Sequence, residues 1–370
     1  FQPVTAMKNQ AYAGTSQTRK AWIRKSLTVT QFVIAQFLII ATLVVSKQVR
    51  YSLNKDLGYK RDAIVHFNTR WNFFSGQKDT RRFVLLEKIK AIPEIEKISL
   101  SGSAPASGNT STTTMKFDNG KKVSETMVEV KYADTAYFNL YGMKLLAGKN
   151  LQQSDTTKEF VINETYSKLL GFAKPADAIG QFIKKNKNIP VTGVVADFHT
   201  KSTHQPIKPL AYSSASDNSY TFHLAMRPGG DPNLWKNALA KVEKVYKEIY
   251  PEDDFQYEFY DEVIANFYKT EQNITRLLTW SAGLCIFISC LGLLGLVIYI
   301  TNSRTKEIGI RKVMGATITQ LVSLLSVDFI VLVLVAFVIT LPFAWWAMHN
   351  WLQDFVYRTS LSWWVFGITG

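Results

Sequence analysis

LTVTQFVIAQFLIIATLVVS, residues Leu27–Ser46, carries no charge, and Gln31 and Gln36 are its only strongly polar side chains. Twenty helical residues rise about 30 Å, the thickness of a hydrocarbon core. Leu277–Thr301 is a second uncharged run, and Phe329–Ala347 is a third that begins just after Asp328. A fourth starts at Trp363 (WWVFGITG) and reaches the last residue. One such run could be a buried core helix. Three full runs with charged or aromatic flanks predict an integral membrane protein. The first run does not read as a secretory signal, because a long basic segment precedes it and no small-residue cleavage site follows Ser46. The sequence opens on Phe1 instead of an initiator methionine, and its last apolar run is incomplete, so it reads as a piece of a longer polypeptide.

The averages conceal this. With 370 residues, 47% hydrophobic, 19% charged and mean hydropathy −0.02, the chain would pass for a globular protein. That composition excludes a disordered tail, a collagen and a disulfide scaffold. The net charge of +14 acquires meaning from its distribution. Residues 1–26 hold Lys8, Arg19, Lys20, Arg24 and Lys25 with no acid, and the segment after the second run holds Arg304, Lys306, Arg311 and Lys312 against Glu307 alone. Short basic segments at membrane ends face the cytoplasm. The expected order is a cytoplasmic segment 1–26, a span 27–46, an extracytoplasmic domain 47–276, a span 277–301, a cytoplasmic loop 302–320, a span 321–347, an outer loop 348–362, and the start of a fourth span at 363–370. Trp345, Trp346, Trp351, Trp363 and Trp364 then gather at one outer interface as an aromatic belt. The outer domain is mildly basic without a basic–aromatic stripe and faces the wrong side for nucleic acid, so no nucleic-acid partner is expected.

Within 47–276, periodicity predicts a βαβ unit at each end. Ala63–Asn68, Asp79–Ala91 and Ile95–Leu100 form the first, and Tyr220–Arg227, Pro232–Tyr250 and Phe255–Tyr260 the second. The middle, roughly 102–215, opens on a Gly/Ser/Thr-rich loop (Ser101–Thr114) and continues in short strands such as Thr126–Tyr132, Phe160–Asn163 and Pro190–Ala196. It reads as a second subdomain inserted into the first. The fold class is therefore an α+β membrane protein, with transmembrane helices and a large extracytoplasmic α+β domain of split βαβ type.

Chemistry-bearing motifs are sparse. Cys285 and Cys290 lie about 140° apart around one helix, which forbids a bond between them. Ser281, Cys285, Ser289, Gly292 and Gly295 form a small-residue stripe suited to close helix packing in lipid. Asp197, His199 and His204 are spaced loosely like metal ligands, but they fit an exposed loop after a strand better, so neither metal nor cofactor is expected. No nucleophile motif and no phosphate-binding Gly-rich loop ending in Lys-Ser/Thr occurs, so any ATP would be hydrolysed by another chain. Asp328 is placed at the cytoplasmic interface near Arg311 or Lys312, and Pro342 predicts a kink in the third run.

The cytoplasmic loop, Ser303–Thr317 (SRTKEIGIRKVMGAT), is richer than a turn needs to be. Ile308, Ile310, Val313 and Met314 alternate with charges, with Gly309 and Gly315 as breaks. Two readings stand side by side. The short amphipathic helix lies on anionic lipid, or it docks in a groove of a cytosolic partner.

The stretch Arg304–Ala316 (RTKEIGIRKVMGA) resembles the signature of FtsX-like/MacB-type ABC transporter permeases. Leu291–Gly295 (LGLLG) before it, Leu324–Phe329 (LLSVDF) after it, Asp56–Tyr59 (DLGY), Ile162–Thr165 (INET), Gly193–His199 (GVVADFH) and Trp351–Tyr357 (WLQDFVY) match that family as well. The resemblance covers nearly the whole chain. It implies four membrane helices and a bacterial inner-membrane location. The large periplasmic domain would have a porter-like part and an insertion. Its cytosolic ABC ATPase would dock on Arg304, Lys306, Glu307, Ile308, Gly309, Ile310, Arg311, Lys312 and Gly315. It further implies export or efflux by mechanotransmission, the permease itself being non-catalytic. The partners would be the other half of the permease or a second copy, the lipid bilayer, and in a tripartite pump a periplasmic adaptor. Residues 1–10 resemble the tail of a preceding permease half, so the chain reads as the second half of a duplicated permease. A transmitter that regulates an extracytoplasmic enzyme such as a cell-wall hydrolase is the alternative.

Overall fold

The computed structural model describes residues 3–69, 79–108, 110–120, 123–227 and 232–369. The chain divides into two compact units, Leu53–Tyr268 and the combination of Phe1–Ser52 with Lys269–Gly370. The first apolar run lies inside one long helix, α1 (Pro3–Asn54), which no Pro or Gly interrupts beyond Gly14.

The outer unit opens with β1 (Ile64–Asn68), α2 (Arg81–Lys90) and β2 (Ile95–Ser101). Then comes the insertion. It contains β3 (Ser111–Asp118), β4 (Val123–Tyr132), α3 (Tyr137–Leu140), β5 (Leu145–Gly148), β6 (Phe160–Asn163), α4 (Glu164–Leu169), β7 (Phe182–Lys184), β8 (Asn188–Val195) and β9 (Leu210–Ser213). The chain returns through β10 (Thr221–Met226), α5 (Pro232–Ile249), β11 (Glu258–Phe259) and α6 (Tyr260–Asn266). The flanking strands form one antiparallel sheet in the order β11-β1-β10-β2, a split βαβ arrangement in which β10 slots between β1 and β2. The inserted strands form a second, mixed sheet in the order β5-β8-β6-β9-β4-β3-β7. One helix pair and one sheet face share a core: Leu85 and Ile89 of α2, Ala238 and Val242 of α5, and Val65, Phe67, Phe222 and Leu224 of the sheet. Ala238 and Val242 lie four residues apart on one face of α5, and both are fully buried.

The membrane unit continues with α7 (Lys269–Ser303), α8 (Thr305–Val313), α9 (Ile318–Gln353) and α10 (Trp363–Thr369). Among the described residues, three helices are long and apolar enough to cross a membrane: Trp22–Asn54, Lys269–Ser303 and Ile318–Gln353. More of the apolar stretch of α1 is buried against the rest of this chain than of the other two. Helix α9 runs through Pro342 to Gln353, so the kink expected there does not end the helix. Ile40, Ala41 and Val44 of α1 pack with Ala344 and Met348 of α9 and Val365 and Phe366 of α10.

Candidate coupling site

Helix α8 is built from local signals. Arg304 leaves helical geometry (φ −104, ψ 18) and separates α7 from α8. Glu307 in the first turn and Arg311 and Lys312 in the last complement the helix dipole. Gly315 (φ 91) ends it: Ala316 N–H donates to the Arg311 carbonyl at 3.0 Å and Gly315 N–H to that of Lys312 at 3.1 Å. This paired closure needs a left-handed residue, which favours Gly. Two residues on, Thr317 caps α9 in a reciprocal pair with Gln320. Gly309, expected to break the helix, lies inside α8 instead, because one interior Gly costs only about 1 kcal/mol.

The side chains sort by face. Arg311 pairs with Glu307 at 2.8 Å, one turn apart. Arg304 reaches Asp328 of α9 at 3.4 Å, so the partner of that carboxylate is Arg304 rather than Arg311 or Lys312. Ile308 is half-buried, whereas Ile310, Val313 and Met314 are 62%, 90% and 75% exposed. Their spacing puts these three on one ridge. Gly309, one turn before Val313, has nothing within 4 Å of where a Cβ would sit, which leaves room for an incoming side chain. Lys306 lies in the same helix. An apolar ridge edged by cations can dock a protein; it has no nucleophile or acid–base pair to catalyse with.

The small-residue stripe is shifted from its expected register. On α7, Ala282, Ser289 and Leu296 are buried and Cys285 and Gly292 half-buried, so the packed face includes Cys285, Ser289 and Gly292. Ser281 and Gly295 lie off it and are exposed on this chain. Gly292 lets the Gln31 side chain of α1 lie directly against the α7 backbone. The other glutamine of the first run, Gln36, is also used between helices: its Nε2 donates to the Val333 carbonyl and its Oε1 accepts from Thr340 Oγ1, both at 3.4 Å. At the far end, Gln48 is fully buried. It donates to the Tyr357 carbonyl at 3.1 Å and accepts from Thr359 N–H at 2.8 Å. Lys47 donates to the Ser360 carbonyl at 3.0 Å. This ties the segment between α9 and α10 to α1.

Sequence reasoning missed a junction in the outer unit where three distant motifs meet. Gly58 (φ +86) sits so close to Asp197 and Phe198 that a Cβ would come within 2.8 Å of both. His199 N–H donates to the Leu57 carbonyl at 2.9 Å. The Asp197 carboxylate accepts from Thr165 N–H at 2.8 Å, Thr165 Oγ1 at 2.7 Å and Asn163 Nδ2 at 3.1 Å. Asp197 is thus spent on the start of α4, where a carboxylate is favoured. Burial pushes His199 down to about 4. Among the described residues no group of three His, Cys, Asp or Glu side chains could hold a metal ion. Above this junction lies a buried aromatic cluster: Tyr59, Tyr137, Tyr141, Tyr212 and Tyr260, with Tyr141 Oη 2.8 Å from His223 Nδ1 and His223 Nε2 2.9 Å from the Gly102 carbonyl. Burial lowers His223 to about 3, so the imidazole is neutral, and with Nε2–H donating to the Gly102 carbonyl, Nδ1 accepts from the Tyr141 hydroxyl. His223 belongs to β10 and Tyr141 to the insertion, so the pair joins the two sheets' subdomains. A lone buried Asp or His in a loop gives no local hint of such partners.

Two family models match the chain: the MacB-like periplasmic core domain over residues 26–242 and the FtsX-like permease C-terminal over residues 281–370. Among curated proteins, the chain is similar to SyfD, a probable syringafactin export ATP-binding/permease protein of Pseudomonas syringae, at 25% identity, covering 49% of this chain and 29% of that one. It is also similar to the ABC transporter permease YknZ of Bacillus subtilis, at 23% identity, covering 57% of this chain and 55% of that one. The chain thus spans only part of the length of each of these relatives. Of solved structures, the extracellular domain of the transporter YknZ from Gram-positive bacteria matches with a TM-score of 0.34 and 9% identity, covering 47% of this chain and 86% of that one.

Proposed function

Because this chain belongs to the ABC transporter permeases with a MacB-like periplasmic core domain and an FtsX-like C-terminal part, we propose that it couples a cytosolic ABC ATPase to movement of its outer domain. The transport is export or efflux by mechanotransmission, without a substrate path through the membrane helices. ATP is hydrolysed on a separate chain, and the permease works with another permease half or a second copy in the bacterial inner membrane. Residues 1–26 and 302–320 face the cytoplasm, and residues 47–276 the periplasm.

One observation carries this reading: α8 stands between two candidate spans with Ile310, Val313 and Met314 exposed and flanked by Arg311 and Lys312. A connection between two helices needs only turn residues, whereas an exposed apolar ridge is a docking surface. The Arg304–Asp328 pair holds the start of α8 to α9, and the Thr317–Gln320 box caps the start of α9 just after α8, so force on the ridge passes into α9. The test replaces Glu307 with Lys and Gly309 with Val in the full-length permease, and measures co-purification of the ATPase and its turnover. Both should fall at least tenfold. Unchanged association and turnover would refute the docking assignment.

A further inference from the structure

A groove of about 440 Å³ runs between α1 and α7, on the scale of a small-ligand cleft. Arg24, Leu27, Thr28 and Gln31 line it from α1, and Gly292, Gly295, Leu296 and Tyr299 from α7. Each set recurs at three, four and seven residues, which is one helix face. The groove is closed at depth where Gln31 meets Gly292. Towards its mouth the floor is Gly295, with nothing within 4 Å of a would-be Cβ. At the mouth the Arg24 guanidinium lies 4.0 Å from the centre of the Tyr299 ring.

Charge identifies the occupant. Arg304 and Arg311 each pair with a carboxylate, whereas among the described residues none pairs with Arg24, and residues 1–26 contain no acid. The Thr28 hydroxyl is spent on the Arg24 carbonyl at 3.1 Å, so the guanidinium is the donor that the groove offers at its mouth. Lys25 stands beside it in sequence. A cation at the wet end of an apolar slot is complementary to a phosphate that carries a hydrocarbon tail. A second copy presenting the same face would bring a second Arg24 and Lys25 to the same level, and like charges would oppose it. An unfilled slot in lipid would also forfeit dispersion contacts along its walls.

We propose that this groove binds one anionic phospholipid, its phosphate on Arg24 and an acyl chain on the Gly295 floor. With residues 1–26 cytoplasmic, as in the function proposed above, the lipid comes from the inner leaflet. It fills the space between the helices that lead into and out of the outer domain, and so resists their closing together.

The full chain is purified, placed in nanodiscs of phosphatidylglycerol and phosphatidylcholine in equal parts, released from them and weighed by native mass spectrometry. Wild type should retain phosphatidylglycerol at least fivefold over phosphatidylcholine. Arg24→Gln should abolish the preference, and Gly295→Leu should abolish retention itself while the protein stays folded by circular dichroism. Equal retention of both lipids by wild type would overturn the proposal, as would an undiminished preference in Arg24→Gln. Loss of self-association in Gly295→Leu, with lipid retention intact, would give the groove to a second copy and overturn it too. Should Gly295→Leu fail to fold, Arg24→Gln at the exposed end decides alone. The nanodisc carries both lipids in both leaflets, so a reversed orientation would leave this result standing. Labelling of Lys25→Cys from each side of sealed vesicles reports orientation separately.

Discussion

Around Tyr141 the outer domain buries five tyrosines and His223 in one contiguous cluster, whereas the membrane helices meet through one aliphatic cluster of α1, α9 and α10 and, beside it, through Gln31, Gln36, Thr340 and small side chains on α7. The first kind of contact is directional and fully desolvated. Tyr137 and Tyr212 rings lie 5.5 Å apart, Phe138 and Tyr212 meet edge-on at 5.0 Å, and each such pair adds about 1 kcal/mol to its burial. The second kind is weak per contact, because lipid tails compete with apolar packing and polar groups in a membrane find other partners. The contrast predicts an outer domain that moves as a block and membrane helices whose spacing can shift. A mechanical coupler needs both.

The largest effect should come from Gly58→Ala. The substitution forces an L side chain into a left-handed conformation and drives its Cβ against Asp197 and Phe198. We expect the outer domain to lose about 3 kcal/mol, read as lost amide-exchange protection in β6 and β8 of the full chain. A loss below about 1 kcal/mol would mean that the junction yields, and the rigid side of the comparison would fail.

Acid should act next. His223 is depressed to about 3, first by burial, and is neutral in the fold. The unfolded chain takes up a proton near pH 6.5 and the folded chain does not. The stability contributed by the neutral form is therefore complete above about 6.5 and is lost as pH falls from there toward 3. Between about pH 7.5 and 5.5 the tyrosine near-ultraviolet dichroism should melt at lower urea, His223 and the likewise depressed His199 each contributing about 1 kcal/mol. An unchanged midpoint would show that the His223 site opens without global cost. The smallest effect belongs to the membrane side: Gln36→Leu should cost about 0.6 kcal/mol in a detergent unfolding titration. A cost of several kcal/mol would erase the contrast.

How far the sequence could be read follows the same division. The split βαβ pattern was legible because β1, α2, β10 and α5 each declare their period within one window, and Pro232 marks the start of α5. Gln31 and Gln36 stood out because polar side chains in an apolar run need partners, though only coordinates could say which. Finer register was not legible. Ser281 and Ala282 are both small, and one residue of helical rotation, about 100°, decides which packs. Gly309 was misread for a similar reason, since a glycine is a breaker only where the chain must turn left-handed, as at Gly315. The junction of Gly58, Asn163, Thr165 and Asp197 was invisible as geometry, because its partners lie in three separate segments with no local signal between them.

Val313 stands at the crest of the α8 ridge proposed to receive the ATPase, with 90% of its surface exposed. Val313→Asp should leave the permease folded in the membrane while binding of the ATPase weakens at least tenfold in a pull-down from detergent. Binding at the wild-type level would mean that the ATPase docks elsewhere than on the α8 ridge.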